Sequence, residues 1–308
     1  MTPVTSPATL RAARVHPDWD DADWPHRERS AFVEAGGLVW HVQVMGHGPA
    51  LLLVHGTGSA THTWRDLAPI LARRFRVIAP DLPGHGFSGW PADGDFSMRA
   101  FATGLHRLLS VLGARARFAA GHSAGAAVLV RMAMEGQLSP RALVSINGAF
   151  LPWSGLPGLV FEPLARVATR LPLVPRLVAR QARQEGFVRR LIEGTGSSLD
   201  ARGTALYARM AADPARVDAA LRMMSQWDLP AFAEGLSGWR GPLHLVAGEN
   251  DRTVPAWQAQ AVARRVGGAS VEILPRLGHL AHEEAPRLVA ARLLRVFRRA
   301  MPASGEDE

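Results

Sequence analysis

Residues 116–136 read ARFAAGHSAGAAVLVRMAMEG, an apolar run that passes through Gly121-His122-Ser123-Ala124-Gly125 straight into a stretch of helix formers. A strand that feeds a helix across so few residues must turn sharply, and small neighbours let backbone approach backbone there. Such a turn presents Ser123 at the end of a sheet, beside the first N–H groups of the helix. Ser123 is therefore the candidate nucleophile, and the Ala124 N–H a candidate donor to an oxyanion. The bare five-residue pattern is weak, and its flanks give it specificity. The alternative is a glycine-rich connection whose serine only caps the helix.

Further short apolar runs surround this one. AFVEA and LVWHVQV flank Gly36-Gly37, ALLLVHG starts at Ala50, and RVIAPDL covers 76–82. RALVSING (141–148), PLHLVAG (242–248) and ASVEILP (269–275) follow. Strands apolar along nearly their whole length suit a sheet covered on both faces. Helical segments alternate with them: WRDLAPILARR, MRAFATGLHRLLSVLG, AGAAVLVRMAMEG, AWQAQAVARRVGG and the C-terminal APRLVAARLLRVFRRA. The alternation predicts a mostly parallel α/β sheet with an antiparallel edge.

Between about Phe150 and Arg240 the alternation stops. Pro152, Pro157, Pro163, Pro172 and Pro175 predict an irregular first third, although VFEPLARVATRL keeps helical spacing; 203–212 and 215–227 are further helix candidates. The expected organisation is an N-terminal extension (1–30), a first core part (31–149), a helical cap (150–240), a second core part (241–300) and a frayed tail (301–308).

Composition narrows the chemistry. Hydrophobic residues are 47% and charged residues 20% of the 308, enough for a large core and too apolar for overall disorder. With no cysteine, thiolate nucleophiles and thiolate metal sites are excluded. All 35 basic side chains are arginine and the net charge is +8, yet no compact basic run or zinc-finger pattern accompanies them, so nucleic acid is not an expected partner. Arg166, Arg170, Arg176 and Arg180 in the cap are compatible with an anionic membrane surface, and equally with a solvated helix face. Residues 1–29 lack a positive start followed by an apolar stretch, and no run reaches the roughly 18 apolar residues of a membrane span. The expected protein is soluble and cytoplasmic, or peripherally attached.

A serine at such a turn needs a base, an orienting acid and a second oxyanion donor. In this kind of sheet the order is serine, acid, histidine. RLGHLAHEE offers His279 and His282, of which His279 comes directly after the last strand. GENDRTVP offers Glu249 and Asp251, of which Asp251 stands just ahead of a helix. Asp251 can hold the Nδ1 proton of His279 while Nε2 receives the proton of Ser123. His282 is expected in the following helix or its cap, and Glu249 as a loop group. HGTGS, at His55–Ser59, supplies the backbone for the second donor, the Thr57 N–H; alternatively its glycines form a tight strand–helix connection or cradle a phosphate, although no GxxxxGK(S/T) pattern accompanies them. DLPGHGFSG, at Asp81–Gly89, fits a structural loop better than catalysis. His55, His62 and His122 show no ligand spacing, so neither a metal nor another cofactor is expected.

HGTGSATHTWRDLAPILARRFRVIAPDLPGHGFS, GHSAGAAVLVRMAMEG, GENDRTVP and LGHLAHEE together resemble the α/β-hydrolase superfamily over nearly all of 31–300. The resemblance implies an eight-stranded, mostly parallel sheet with helices on both faces and a helical cap. It also implies Ser123 as nucleophile, Asp251 as acid, His279 as base, and Thr57 and Ala124 as oxyanion donors. The N-terminal run DWPHRERSAFVEAGGLVWHVQVMGHGPALLLVHG, with SINGAFLPW, GTGSSLDARGTALYARM and MMSQWDL, is similar to the magnesium chelatase accessory proteins of bacteriochlorophyll biosynthesis. That similarity implies a place near magnesium insertion, at or near the photosynthetic membrane, with a porphyrin-related hydrophobic compound and chelatase subunits as partners. Two functions follow: hydrolysis of an ester, or binding of a tetrapyrrole without hydrolysis. The same three side chains also serve haloperoxidase-like and C–C bond chemistry. Phe150, Leu151, Trp153, Phe161, Met223 and Met224 are candidate lining of an apolar pocket, or else ordinary cap core.

Overall fold

The computed structural model describes residues 23–152, 171 and 173–301. Trp153, Phe161, Arg166, Arg170 and most of the expected helix at 160–171 lie outside these residues.

Eight strands form one sheet in the order β1-β2-β4-β3-β5-β6-β7-β8. They are β1 (Ser30–Ala35), β2 (Leu38–Met45), β3 (Ala50–Val54), β4 (Arg76–Pro80), β5 (Phe118–His122), β6 (Ala142–Ile146), β7 (Leu243–Gly248) and β8 (Ser270–Leu274). The β1–β2 and β2–β4 pairs are antiparallel and the others parallel. The apolar strands are explained by the two layers they separate. On β3, Leu52 and Val54 join one core and Leu51 and Leu53 the other, as the two-residue period of a strand requires.

Among the described residues the helices are α1 (Ala68–Leu71), α2 (Met98–Val111), α3 (Ala124–Met134), α4 (Leu173–Ala182), α5 (Phe187–Gly194), α6 (Ala201–Ala211), α7 (Pro214–Gln226), α8 (Leu229–Gly235), α9 (Ala256–Arg265), α10 (Ala281–Glu284) and α11 (Pro286–Arg299). α2, α3 and α9 pack on one face of the sheet through Leu105, Leu108, Val128 and Val262. α1 and α11 cover the other through Leu71, Val289, Leu293 and Phe297. On α11 these apolar residues recur three to four apart, one buried stripe with arginines on the outside. Helices α4–α8 fall between β6 and β7 and form the cap. Its Ala219, Met223, Trp227 and Phe232 share the core of the α2–α3 face, so cap and body have a continuous interior.

Three expectations are corrected. WRDLAPILARR is not one helix: a 3₁₀ turn at Thr61–Trp64 gives way to the single turn of α1. Pro69 explains the break, because it lacks an N–H to carry a helix in from Trp64 but suits a first turn. Pro175 likewise lies in the first turn of α4, where no intrahelical donor is needed, so regular structure begins at Leu173. The end of the expected N-terminal extension also packs into the body. Trp24 is buried, its Nε1–H donates to Thr61 Oγ1 at 3.2 Å, and its ring meets Phe87 edge-on.

The Asp81 loop is structural. Its buried carboxylate accepts hydrogen bonds from His41 Nδ1 (2.6 Å), the Thr61 N–H (2.6 Å) and the Phe87 N–H (2.9 Å). It thereby ties β2, the 3₁₀ turn and the loop after β4 together. Burial alone would raise its pKa; the charge and hydrogen bond of His41 outweigh that and hold it at about 2. No described helix is long and apolar enough to cross a membrane.

Candidate active site

The loops after β3, β5, β6, β7 and β8 meet at the carboxyl edge of the sheet, where such sheets carry their sites. β5 lies near the middle, between β3 and β6, so Ser123 at its end has neighbours on both sides. Ser123 takes φ 50° and ψ −121°, a backbone state that L-residues rarely adopt. Neighbouring backbone holds it there: its N–H donates to Ile146 O (3.0 Å), and its C=O accepts from the Ala126 and Ala149 N–H groups (3.1 Å each). The flanking glycines answer to contact. A Cβ on Gly125 would run into the carbonyl oxygens of Val54 and His55, and one on Gly121 would stand 2.5 Å from Ala126 N.

The structure brings Asp251 and His279 together, with His279 Nδ1 2.8 Å from Asp251 Oδ2. Asp251 is fixed from behind: Oδ1 accepts from the Thr253 and Val254 N–H groups (2.8 Å each), and Oδ2 also accepts from Asn147 Nδ2 (2.6 Å). His279 Nδ1 thus joins three other nitrogens around this carboxyl group. Ser123 Oγ and His279 Nε2 carry no hydrogen bond among the described residues. Bonds of this kind commonly tighten only on substrate binding.

Ala124 is the first residue of α3, and its N–H has no carbonyl to reach within the helix. The Thr57 turn lies against the serine, since a Cβ on Gly56 would stand 3.0 Å from Ser123 Cβ. The cap reaches the same place: Thr57 Oγ1 is 3.4 Å from Sδ of Met223 on α7. Met224 beside it is half-buried. Phe150 is buried and stacks on Phe232 at 6.3 Å, in the core between sheet and cap.

Glu249 accepts from the Arg276 N–H at 3.0 Å, a loop contact. His282 lies on α10 and meets Thr63 Oγ1 at 2.7 Å. Among the described residues no group of three or more His, Asp or Glu side chains is arranged to hold a metal. Sequence reasoning missed Asn147. Its φ of 50° at the tip of β6 aims the amide at the acid, and its only sequence signal is an Asn-Gly pair closing an apolar run.

Fold and site together are those of a hydrolase-type enzyme. The chain belongs to the alpha/beta hydrolase family, which it matches over residues 51–292. It is 38% identical to the magnesium-chelatase 30 kDa subunit of Rhodobacter capsulatus, over 86% of this chain and 93% of that protein. It is 30% identical to the pimeloyl-[acyl-carrier protein] methyl ester esterase of Methylococcus capsulatus, over 83% of this chain and 97% of that one. Among solved structures, an alpha/beta hydrolase fold protein from Burkholderia ambifaria is 26% identical with a TM-score of 0.69, over 86% of this chain and 99% of that one.

Proposed function

We propose that the protein is a serine hydrolase of the esterase type. Ser123 Oγ attacks an acyl carbonyl while His279 Nε2 takes its proton, and Asp251 stabilises the imidazolium through Nδ1. The Ala124 and Thr57 N–H groups receive the oxyanion. The alcohol leaves with the proton from His279, which then activates a water. Hydroxide attack releases the acid and returns Ser123 to its hydroxyl form. The observation that carries this reading is the 2.8 Å His279–Asp251 bond at the same sheet edge as a serine in a strained backbone state.

The finer proposal places the reaction in bacteriochlorophyll synthesis, near magnesium insertion, on a hydrophobic porphyrin-related ester and in contact with chelatase subunits. The likeness to the Rhodobacter capsulatus chelatase subunit over most of both chains supports it. The same relative is a magnesium-chelatase subunit, which supports a second reading: a tetrapyrrole carrier without turnover. A fluorophosphonate probe and a short-chain ester separate the two. A wild type that is labelled and turns over upholds the hydrolase; a silent wild type that binds protoporphyrin IX upholds the carrier.

We further propose a cytoplasmic protein that touches an anionic membrane through its cap. Leu173 and Leu177 on α4 are 64% and 58% exposed, and Arg176 and Arg180 share that face at helical spacing. Leu191 on α5 is also exposed, beside Arg189 and Arg190. Apolar residues rimmed by arginine suit an interface of anionic lipid. The chain is expected to sediment with phosphatidylglycerol vesicles at low salt and not with phosphatidylcholine vesicles. Replacing Leu173, Leu177 and Leu191 by serine is expected to abolish sedimentation; retention by the triple variant counts against this surface.

A further inference from the structure

The cap meets the body closely at the two loops that carry Asp251 and His279. Residues 195–198, between α5 and α6, cross both of them. The Arg252 N–H, next to Asp251, donates to Thr195 O at 3.0 Å. The Leu280 N–H, next to His279, donates to Ser197 Oγ at 2.7 Å. The Ser197 Oγ–H donates to Glu284 Oε1 (2.8 Å), which also accepts from the Gly278 N–H on the other side of His279 (2.9 Å). Glu284 Oε2 accepts from the Ser198 N–H at 3.3 Å. No clearance is left: a Cβ on Gly278 would collide with Gly196 O and stand 2.5 Å from Ser197 N, and one on Gly196 would collide with Asn250 O.

His279 is thus held on every side. The peptide N–H groups before and after it are bound through Glu284 and Ser197, its carbonyl accepts from His122 Nε2–H at 2.9 Å, and its Nδ1 faces Asp251. Of these partners, Ser197 belongs to the cap. It is buried, so the bonds are made away from competing water.

We propose that the cap segment 195–198 is a strap that sets the register between the acid and the base, with Ser197 a positioning residue that acts through Glu284 and the backbone flanking His279. The cap is then no freely swinging lid at this end. Seating of the strap completes the site, and substrate enters without lifting it. A hinge in the cap has to lie elsewhere than at 195–198. The catalytic consequence rests on the serine hydrolase reading above, and the packing consequence does not.

Two measurements on Ser197→Ala keep these apart. A general base displaced by a fraction of an ångström costs rate rather than binding. The variant is expected to lose roughly 10- to 100-fold in kcat and in probe-labelling rate with KM unchanged. Amide exchange across 276–285 is expected to quicken about tenfold as the Leu280 N–H loses its acceptor and Glu284, which holds the Gly278 N–H, loses the Ser197 hydroxyl that orients it. Glu284→Gln keeps one oxygen for both Gly278 and Ser197 and is expected to retain most activity; Glu284→Ala is not. Wild-type kcat and wild-type exchange in Ser197→Ala overturn the strap. A lowered melting temperature with kcat intact below it assigns Ser197 to stability alone and overturns the positioning role. If the wild type itself is not labelled, the hydrolase reading fails, and the exchange result alone upholds or overturns the strap.

Discussion

Ser123→Ala is expected to lower ester turnover by about 10⁴- to 10⁶-fold and to abolish fluorophosphonate labelling, with the urea midpoint unchanged. The rate loss corresponds to about 5–8 kcal/mol of transition-state stabilisation. The fold should not notice, because alanine keeps the Cβ on which the elbow is built, and the removed hydroxyl makes no hydrogen bond among the described residues. His279→Ala should cost nearly as much, and the double variant little more than either, because hydroxyl and imidazole act as one unit. Steady-state kinetics on a chromogenic ester, with labelling read on a gel, measures this. Retention of a tenth of the wild-type rate by Ser123→Ala would sink the serine as nucleophile.

The second large effect is acid lability. Burial depresses the pKa of five core histidines: His62 to about 3, His85 to about 4, His122 and His282 well below the usual value, and His55 in the same direction, as it does that of the half-buried His244. In the unfolded chain each titrates near 6.5. Their neutral forms therefore cost nothing above that pH. Below it the unfolded state takes up protons that the folded state refuses. Each costs about 1.4 kcal/mol per pH unit, so stability falls by several kcal/mol per unit. Glu283, raised by its burial, offsets at most one of these protons. Domains carry about 5–15 kcal/mol, so cooperative unfolding is expected between about pH 4 and 6. His62 gives the cleanest control. Among the described residues neither of its ring nitrogens has a hydrogen-bond partner, and the ring packs between Trp24 and Tyr207. His62→Phe is expected to gain about 2 kcal/mol at pH 5 and to shed one proton of slope. Urea midpoints between pH 8 and 5 decide; an unchanged slope in His62→Phe rejects the account.

The strands were readable because both faces of the sheet are covered, which leaves each one a short, almost unbroken apolar word. Ser123, Asp251 and His279 were readable for a related reason: each stands in the first loop after such a word. What stayed hidden depends on partners far along the chain. Asn147 serves an acid 104 positions later, and Ser197 serves Glu284 87 positions later. Single polar residues at such separations leave no periodic trace. The short helices α4, α5 and α8 stayed hidden too, because isolated helices of that length are marginal and owe their form to packing. The failed helix at Trp64–Arg74 is the opposite case, in which apolar spacing outvoted a proline that should have been heard.

The pairing of β6 with β7 joins Ile146 to Val246 across the whole cap. Closing so long a loop costs chain entropy that only the finished sheet repays. During synthesis the amino-terminal half can assemble up to β6 and must then wait, with that strand's outer edge unsatisfied. Neither acid nor base has yet left the ribosome at that stage. A nascent chain stalled there would be catalytically inert and prone to edge-to-edge association, so this enzyme is expected to need chaperone shelter late in translation rather than early.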